Sequence, residues 1–416
     1  MRVLGIIAEY NPFHNGHLYQ LKQSVEQLDA DFVVAVMSGN FTQRGEPAIL
    51  SKWARAEMAI ECGIDLVLEI PFVFACNNAE YFAKGAIGIL NGLGCVTHLS
   101  FGSESGELVQ LEKVADFLAN EGQAFQDALK KYLEKGISYP KARQEATRDC
   151  LGESAAALLR EPNNILAIEY LKQLKMIRSD IIPFTVKRKG AGYHQLQPNE
   201  NIASASAIRR MLEEQPNHNP DNNLAEYLPE NGFDILKAAL SKQYERISLK
   251  QIEANYYKIL TAKILTMQEK DLSQIFSIRE GLEHKLKGAV RNAEDLNGLK
   301  QLVLSKRYTT TRINRIFTHI LLGMTRDDFL KITDQLYLYG RVLGFNQKGA
   351  TLLKQIKKSS KTSLPCLTNV NKQINGSEEY LKLLSYDFIA SDLYNLIMEQ
   401  NLYHCSDYVC MPYRKL

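Results

Sequence analysis

Two histidines, His14 and His17, stand three residues apart with Gly16 between them, in the run Tyr10-Asn-Pro-Phe-His-Asn-Gly-His17. An apolar stretch, Val3–Ala8, leads into this turn, and Leu18–Leu28 leaves it as the mixed apolar and polar pattern of a helix start. A strand–turn–helix junction presents unpaired backbone N–H groups to an anion. Imidazole donors at the same place can stabilise charge that builds on a phosphate and on a departing pyrophosphate. Gly16 lets phosphate or adenosine approach the backbone. A metal pair is the competing account, with Glu9 as the nearest third ligand, and a purely structural pair is the plain one.

A second constellation lies far along the chain. Ser204-Ala-Ser-Ala-Ile-Arg209 opens a helix with two hydroxyls, Ser204 and Ser206, and places Arg209 at its second turn. Such a start makes a small anion nest, although serine is also an ordinary helix cap. Two anion-binding helix starts in one domain suit a triphosphate. Arg188, at the end of an expected strand, can reach the same phosphates or be a surface charge. Asn163, after Pro162, offers two faces to a base or ribose or caps its helix. Arg44, Lys52 and Arg55 are placed near the mouth of the site or lie on a solvated loop and ordinary helix surface, Lys52 and Arg55 sharing a helix face.

The elements that must position these residues read as α/β. Val3–Ala8, Phe32–Met37, Leu66–Ile70, Thr97–Phe101 and Ile181–Lys187 are strand candidates, the first three nearly continuous in apolar residues, as for strands covered on both faces. Ligands in such sheets bind at the carboxyl ends of the strands, where Tyr10–His17, Ser38–Asn40, Phe101–Gly106 and 187–206 would lie. The expected architecture is a Rossmann-like domain with a parallel sheet over residues 1–220, carrying a helical insertion at about 107–175. A helical, basic region over 221–360 and a mixed segment over 361–416 follow.

The net charge is only +3, so a nucleic-acid footprint has to be local. Between 281 and 361, Lys and Arg number 16 against 6 Asp and Glu, which singles this region out. Within it, 306–315 contains Lys306, Arg307, Arg312 and Arg315 and no acid, with Arg312, Arg315 and His319 at spacings that share a helical face. Tyr308 adds a stacking surface. Seven cysteines without paired spacing suit free thiols in a reducing compartment, and no apolar run is long enough to span a membrane. A cytoplasmic protein is expected.

These blocks, taken in order, resemble the bacterial tRNA(Met) cytidine acetate ligases, within the nucleotidyltransferases that carry a His-x-Gly-His motif. The resemblance runs through the opening at 8–17, Met-Ser-Gly-Asn-Phe-Thr-Gln-Arg-Gly-Glu-Pro at 37–47 and Ser-Lys-Trp-Ala-Arg at 51–55. It continues through Phe-Gly-Ser-Glu at 101–104, Pro-Asn-Asn-Ile-Leu at 162–166, the serine-rich helix start at 203–209 and Lys-Arg-Tyr-Thr-Thr-Thr-Arg at 306–312. It implies ATP-dependent ligation of acetate to N4 of the wobble cytidine of elongator tRNA(Met), through acetyl-adenylate, with Mg2+ accompanying ATP. It implies ATP contacts at Ile7, Ala8, Glu9, Tyr10, Asn11, Pro12, Phe13, His14, Asn15, Gly16, His17, Leu18, Tyr19 and Gln20, and at Gly102, Asn163 and Arg188. Neither DNA nor a membrane is an expected partner, no protein metal site is expected, and the oligomeric state stays open. A small-molecule adenylyltransferase and a tRNA- or ribosome-binding module are the other readings; the long basic appendage speaks against the first.

Overall fold

In the strand Phe32–Ser38, Val34 and Val36 pack into one buried cluster while Val33, Ala35 and Met37 pack into another, so the strand is covered on both faces. That is why its sequence is an unbroken apolar run rather than an alternating one. The computed structural model describes residues 1–189, 201–214, 222–244, 247–279, 281–306, 308–334, 336, 338–371 and 377–415. The expected boundary at 220/221 lies outside them.

Strands β1 (Val3–Ala8), β2 (Phe32–Ser38), β3 (Leu66–Ile70), β4 (His98–Ser103) and β5 (Ile182–Lys187) are parallel and ordered β5-β4-β1-β2-β3. This is a Rossmann-like sheet. The chain moves outward from β1 in one direction to β3 and then returns to start the other half at β4. The switch between β1 and β4 opens a crevice beyond their carboxyl ends. Five helices, from Leu108–Asn120 to Pro162–Met176, separate β4 from β5.

Residues beyond 222 are largely helical, with one departure from the sequence expectation. Strand β6 (Gly340–Phe345), inside the stretch expected to be helical, pairs antiparallel with β3. It carries β7 (Cys366–Leu367) and β8 (Tyr413–Arg414) as short parallel neighbours. A short apolar run gives no period by which to tell strand from helix. Val342 and Leu343 fall into opposite core clusters and settle the matter by packing. Among the described residues, no helix is long and apolar enough to cross a membrane.

Candidate nucleotide site

The crevice is entered from β1 through Ile7, Ala8 and Glu9. Tyr10 then turns the chain with a positive φ of 46° and is buried with Phe13. The helix Asn15–Leu28 follows, and its N-terminus is capped by the two histidines themselves. His14 Nδ1 accepts the Gly16 N–H at 3.0 Å, and His17 Nδ1 accepts the His14 N–H at 3.3 Å. With both Nδ1 lone pairs engaged, each neutral ring carries its proton on Nε2. The rings stack with centroids 3.7 Å apart, and Tyr10 and Phe13 flank His17 at 5.0 and 5.5 Å. Burial, then the charges of Arg188 and Arg209, pull His14 down to about 3. Burial, then His14 and Arg188, take His17 well below the ordinary histidine value. At neutral pH both are uncharged donors. A Cβ on Gly16 would stand 2.8 Å from His14 Cε1, so the motif glycine is required by the ring beside it.

The second helix start meets the first. Arg209 Nη1 donates to the Asn11 carbonyl at 2.8 Å and Nη2 to Ser206 Oγ at 3.3 Å. Asn15 Nδ2 donates to the Asn201 carbonyl at 3.0 Å. Ser204 Oγ accepts the Ala207 N–H at 3.2 Å, so Ser204 caps its helix as well as edging the crevice. From the β4 side, Gly102 lies where a Cβ would come within 3.3 Å of Arg188 Cγ and 3.4 Å of Gln20 Oε1. Arg188 Nη1 approaches Asn163 Oδ1 at 3.5 Å. Burial lowers both Arg188 and Arg209 from the ordinary guanidinium value, with Glu104 opposing at Arg188 and Glu9 and Glu46 opposing at Arg209. Leu18 joins the core beside this helix, and Tyr19 lies under Lys189 Nζ at 4.7 Å. The structure therefore brings His14 and His17 close to Arg188, and His14 close to Arg209, with Asn163 and Gly102 beside Arg188 and Ser206 beside Arg209, while Phe13 and Leu18 pack into the core.

Glu104 is the organiser that sequence reasoning left without a role. Its carboxylate accepts from Asn163 Nδ2 at 2.6 Å, Asn163 N at 3.2 Å and Asn164 N at 2.8 Å, capping the helix Pro162–Met176. Asn164 Oδ1 in turn accepts the Glu104 N–H at 3.0 Å. The signal was Asn163-Asn164 after Pro162 at a helix start, with an acid at a strand end to receive it.

Three other expectations are corrected. Lys52 and Arg55 are buried rather than placed at the mouth. Lys52 Nζ pairs with Glu69 at 2.8 Å and Asp407 at 2.9 Å. Arg55 donates to the carbonyls of Glu9, Ser38, Gly39 and Leu50, tying the strand ends together. His319 is buried inside the helix Thr310–Leu322, facing the Cys76 carbonyl at 2.7 Å and Ser277 Oγ at 2.9 Å, and presents no RNA-facing group. An i, i+3, i+7 spacing marks a helix face without saying whether it meets solvent or core. Of the expected RNA contacts, Lys306 is exposed, Arg312 is half-buried over Tyr308 and Arg307 lies outside the described residues. Arg315 turns toward the nucleotide domain, Nη1 donating to the Gln43 carbonyl at 3.3 Å.

The family model described as HIGH Nucleotidyl Transferase matches residues 1–407. The tRNA(Met) cytidine acetate ligase of Thermoanaerobacter sp. (strain X514) is 43% identical over 397 residues, covering 95% of each chain. That of Alkaliphilus metalliredigens is 40% identical and covers 99% of each. The chain belongs to the tRNA(Met) cytidine acetate ligase family. Within this family, Thermotoga maritima TmcAL bound with alpha-thio ATP superposes with a TM-score of 0.89 at 32% identity, over the whole of both chains. The apo form of the same ligase gives 0.90 at 31% identity.

Proposed function

We propose that this chain binds ATP in the crevice between β1 and β4 and uses it to join acetate to tRNA. It is an ATP-dependent, AMP-forming tRNA(Met) cytidine acetate ligase acting on N4 of the wobble cytidine of elongator tRNA(Met). The observation that carries the site assignment is the convergence of two helix N-termini, two neutral histidines and two arginines at the sheet's switch point.

An acetate oxygen attacks the α-phosphorus, and the bond to the β-phosphate oxygen breaks, releasing pyrophosphate. His14 and His17 donate from Nε2 to oxygens whose charge grows in that step, and Arg188 and Arg209 stabilise the phosphates. N4 of the cytidine then attacks the acetyl carbonyl of the adenylate. The carbon–oxygen bond to AMP breaks and the amine proton leaves to solvent. The N4 lone pair is delocalised into the ring, so activation of acetate and close orientation are both needed. Among the described residues, no three His, Cys, Asp or Glu side chains converge on a metal position. Magnesium is expected to accompany the triphosphate, whose oxygens would supply most of its ligands.

Labelled acetate, ATP and bulk tRNA test the reaction. Label should enter tRNA only when ATP is present. Folded protein that leaves tRNA unlabelled while transferring AMP to a small molecule would replace this function with an adenylyltransferase. Acetate-dependent ATP–pyrophosphate exchange should stop when a chelator removes magnesium; undiminished exchange would remove the metal from the scheme.

A further inference from the structure

Two side-chain amides, Gln20 and Asn163, meet beside Gly102 and Arg188 on the β4 side of the crevice, and the hydrogen bonds behind each amide fix which way it faces. Glu104 holds Asn163. Its Oε1 accepts from Asn163 Nδ2 at 2.6 Å, while Asn163 Oδ1 lies 3.5 Å from Arg188 Nη1. A carboxylate only accepts and a guanidinium only donates. Turning the amide over would set its oxygen against the carboxylate and its NH2 against the guanidinium. The carbonyl oxygen of Asn163 is therefore held toward Arg188.

Gln20 is held by a chain of two hydroxyls. Ser24 Oγ gives its one proton to the Gln20 carbonyl at 2.7 Å. In the 2.6 Å contact between Ser24 Oγ and Ser100 Oγ, the proton is then that of Ser100. Ser100 has no second proton, so at 3.3 Å it accepts from Gln20 Nε2. Both serines are out of contact with solvent, and bulk water competes for neither. Gln20 Oε1 is thereby turned toward Gly102, where a Cβ would stand 3.4 Å from it and 3.7 Å from Arg188 Nη1. The glycine keeps open the space that the amide oxygen and the guanidinium both border. Along the helix Asn15–Leu28, Gln20 lies about 4.5 Å beyond His17, past the ring that donates to phosphate.

We propose that Glu104, and Ser24 with Ser100, are positioning residues for the nucleoside of ATP: they aim the carbonyl oxygens of Asn163 and Gln20 at its hydrogen-bond donors. The inference rests on ATP binding in this crevice. Phosphate oxygens accept, and they call for the cations and N–H groups around His14, His17 and Arg209. Amide oxygens suit the part of the nucleotide that donates. In ATP those donors are the ribose hydroxyls and the exocyclic amine of adenine.

The test is calorimetric binding of ATP, 2′-deoxy-ATP, 3′-deoxy-ATP and inosine triphosphate to the full-length protein, without acetate or tRNA, so that no adenylate forms. Wild type should bind at least one analogue about three- to tenfold more weakly than ATP, the loss that goes with one missing neutral donor. Weaker inosine triphosphate assigns the acceptors to the adenine amine, and weaker deoxynucleotides assign them to the ribose. Ser100→Ala frees the Gln20 amide to turn, and Glu104→Gln puts an NH2 where one oxygen accepted. Each variant should bring the ratio of ATP affinity to analogue affinity about threefold closer to one. Should Glu104→Gln disturb the cap of the helix Pro162–Met176, Ser100→Ala decides, because Ser100 lies within β4 and caps no helix. Wild-type ratios in Ser100→Ala, even with all four nucleotides weakened together, would show a structural role only and overturn the proposal. Equal affinity of wild type for all four nucleotides would overturn it too. Wild-type protein that bound none of them would refute the ATP site itself.

Discussion

A histidine that lends Nδ1 to a backbone N–H has one group left to offer, and in His14 and His17 that group is the Nε2 proton. Neither ring is available as a base at neutral pH, so both act by donation. His14→Ala and His17→Ala should each lower acetate-dependent exchange on the order of a hundredfold, about 3 kcal/mol per lost donor. Unchanged exchange in both variants would remove them from catalysis. The same burial links these rings to stability. His14 is pushed to about 3, His17 well below its ordinary value and His319 to about 4, so each takes up a proton on unfolding once the pH drops below about 6.5. Their contribution is complete above that value and shrinks as the pH falls toward the folded values. Between pH 7 and pH 5 His14 and His319 should each remove about 2 kcal/mol from the unfolding free energy, and His17 should act in the same direction. His319→Gln should show a shallower decline over that interval than wild type in urea titrations; parallel declines would mean that the ring is protonated in the fold. The motif was legible in sequence because its residues are contiguous. The burial of Lys52 was not, since its partners Glu69 and Asp407 are far away along the chain and only the fold brings them together.

The turn at 42–46 is one of the elements that join the first part of the chain to the helical part. It is closed by Thr42 N to the Glu46 carbonyl at 3.0 Å, and it sits between the end of β1 and the helix Thr310–Leu322. Glu9 Oε1 accepts the Gln43 N–H on one side. On the other, Asn314 Nδ2 donates to Glu46 at 2.7 Å, Thr318 Oγ1 to the Gly45 carbonyl at 2.7 Å and Arg315 to the Gln43 carbonyl. Gly45 has a φ of +79°, and a Cβ there would stand 2.3 Å from the Arg315 backbone nitrogen. Gly45→Ala should therefore separate turn and helix, costing about 1–3 kcal/mol from the close contact with further strain from the backbone angle. Arg315 and Arg312 should differ despite their common face. Arg315→Ala should slow single-turnover acetyl transfer at saturating tRNA more than it weakens tRNA binding, because its guanidinium holds the turn beside Glu9. Arg312→Glu should do the reverse. Equal patterns in affinity and rate would show that both are simple phosphate contacts. The parallel strands and the helix starts could be read from sequence, because each is set by local pattern. The contact between this turn and a helix some 270 residues later has no local signature, and a glycine in a polar loop conceals it.

At the scale of the whole molecule, the C-terminal segment is held to the sheet by buried charge. Asp407 Oδ2 accepts from Lys52 Nζ at 2.9 Å, Arg341 Nη1 at 2.8 Å and Ser391 Oγ at 2.9 Å, all out of contact with solvent. Burial works to raise the Asp407 carboxyl, but Lys52 and Arg341 outweigh it and hold it below the usual carboxylate value. Lys52 also pairs with Glu69 on β3, and the Lys52 backbone N–H donates to Asn40 Oδ1 at 2.8 Å. The network thus runs from the last residues of the chain to the loop that leaves β2 for the nucleotide crevice. Two cations share two carboxylates in this interior, so neutralising one acid leaves an uncompensated charge with no water to solvate it. Asp407→Asn keeps the shape and removes that compensation, and should cost about 3–5 kcal/mol in urea unfolding. The loss should also appear in exchange at elevated temperature, since the loop at Asn40 leans on the same lysine. A stability change within about 0.5 kcal/mol, the range of ordinary surface substitutions, would mean that the four groups are not mutually dependent, and that β6, β7 and β8 are held by strand pairing and apolar packing without them.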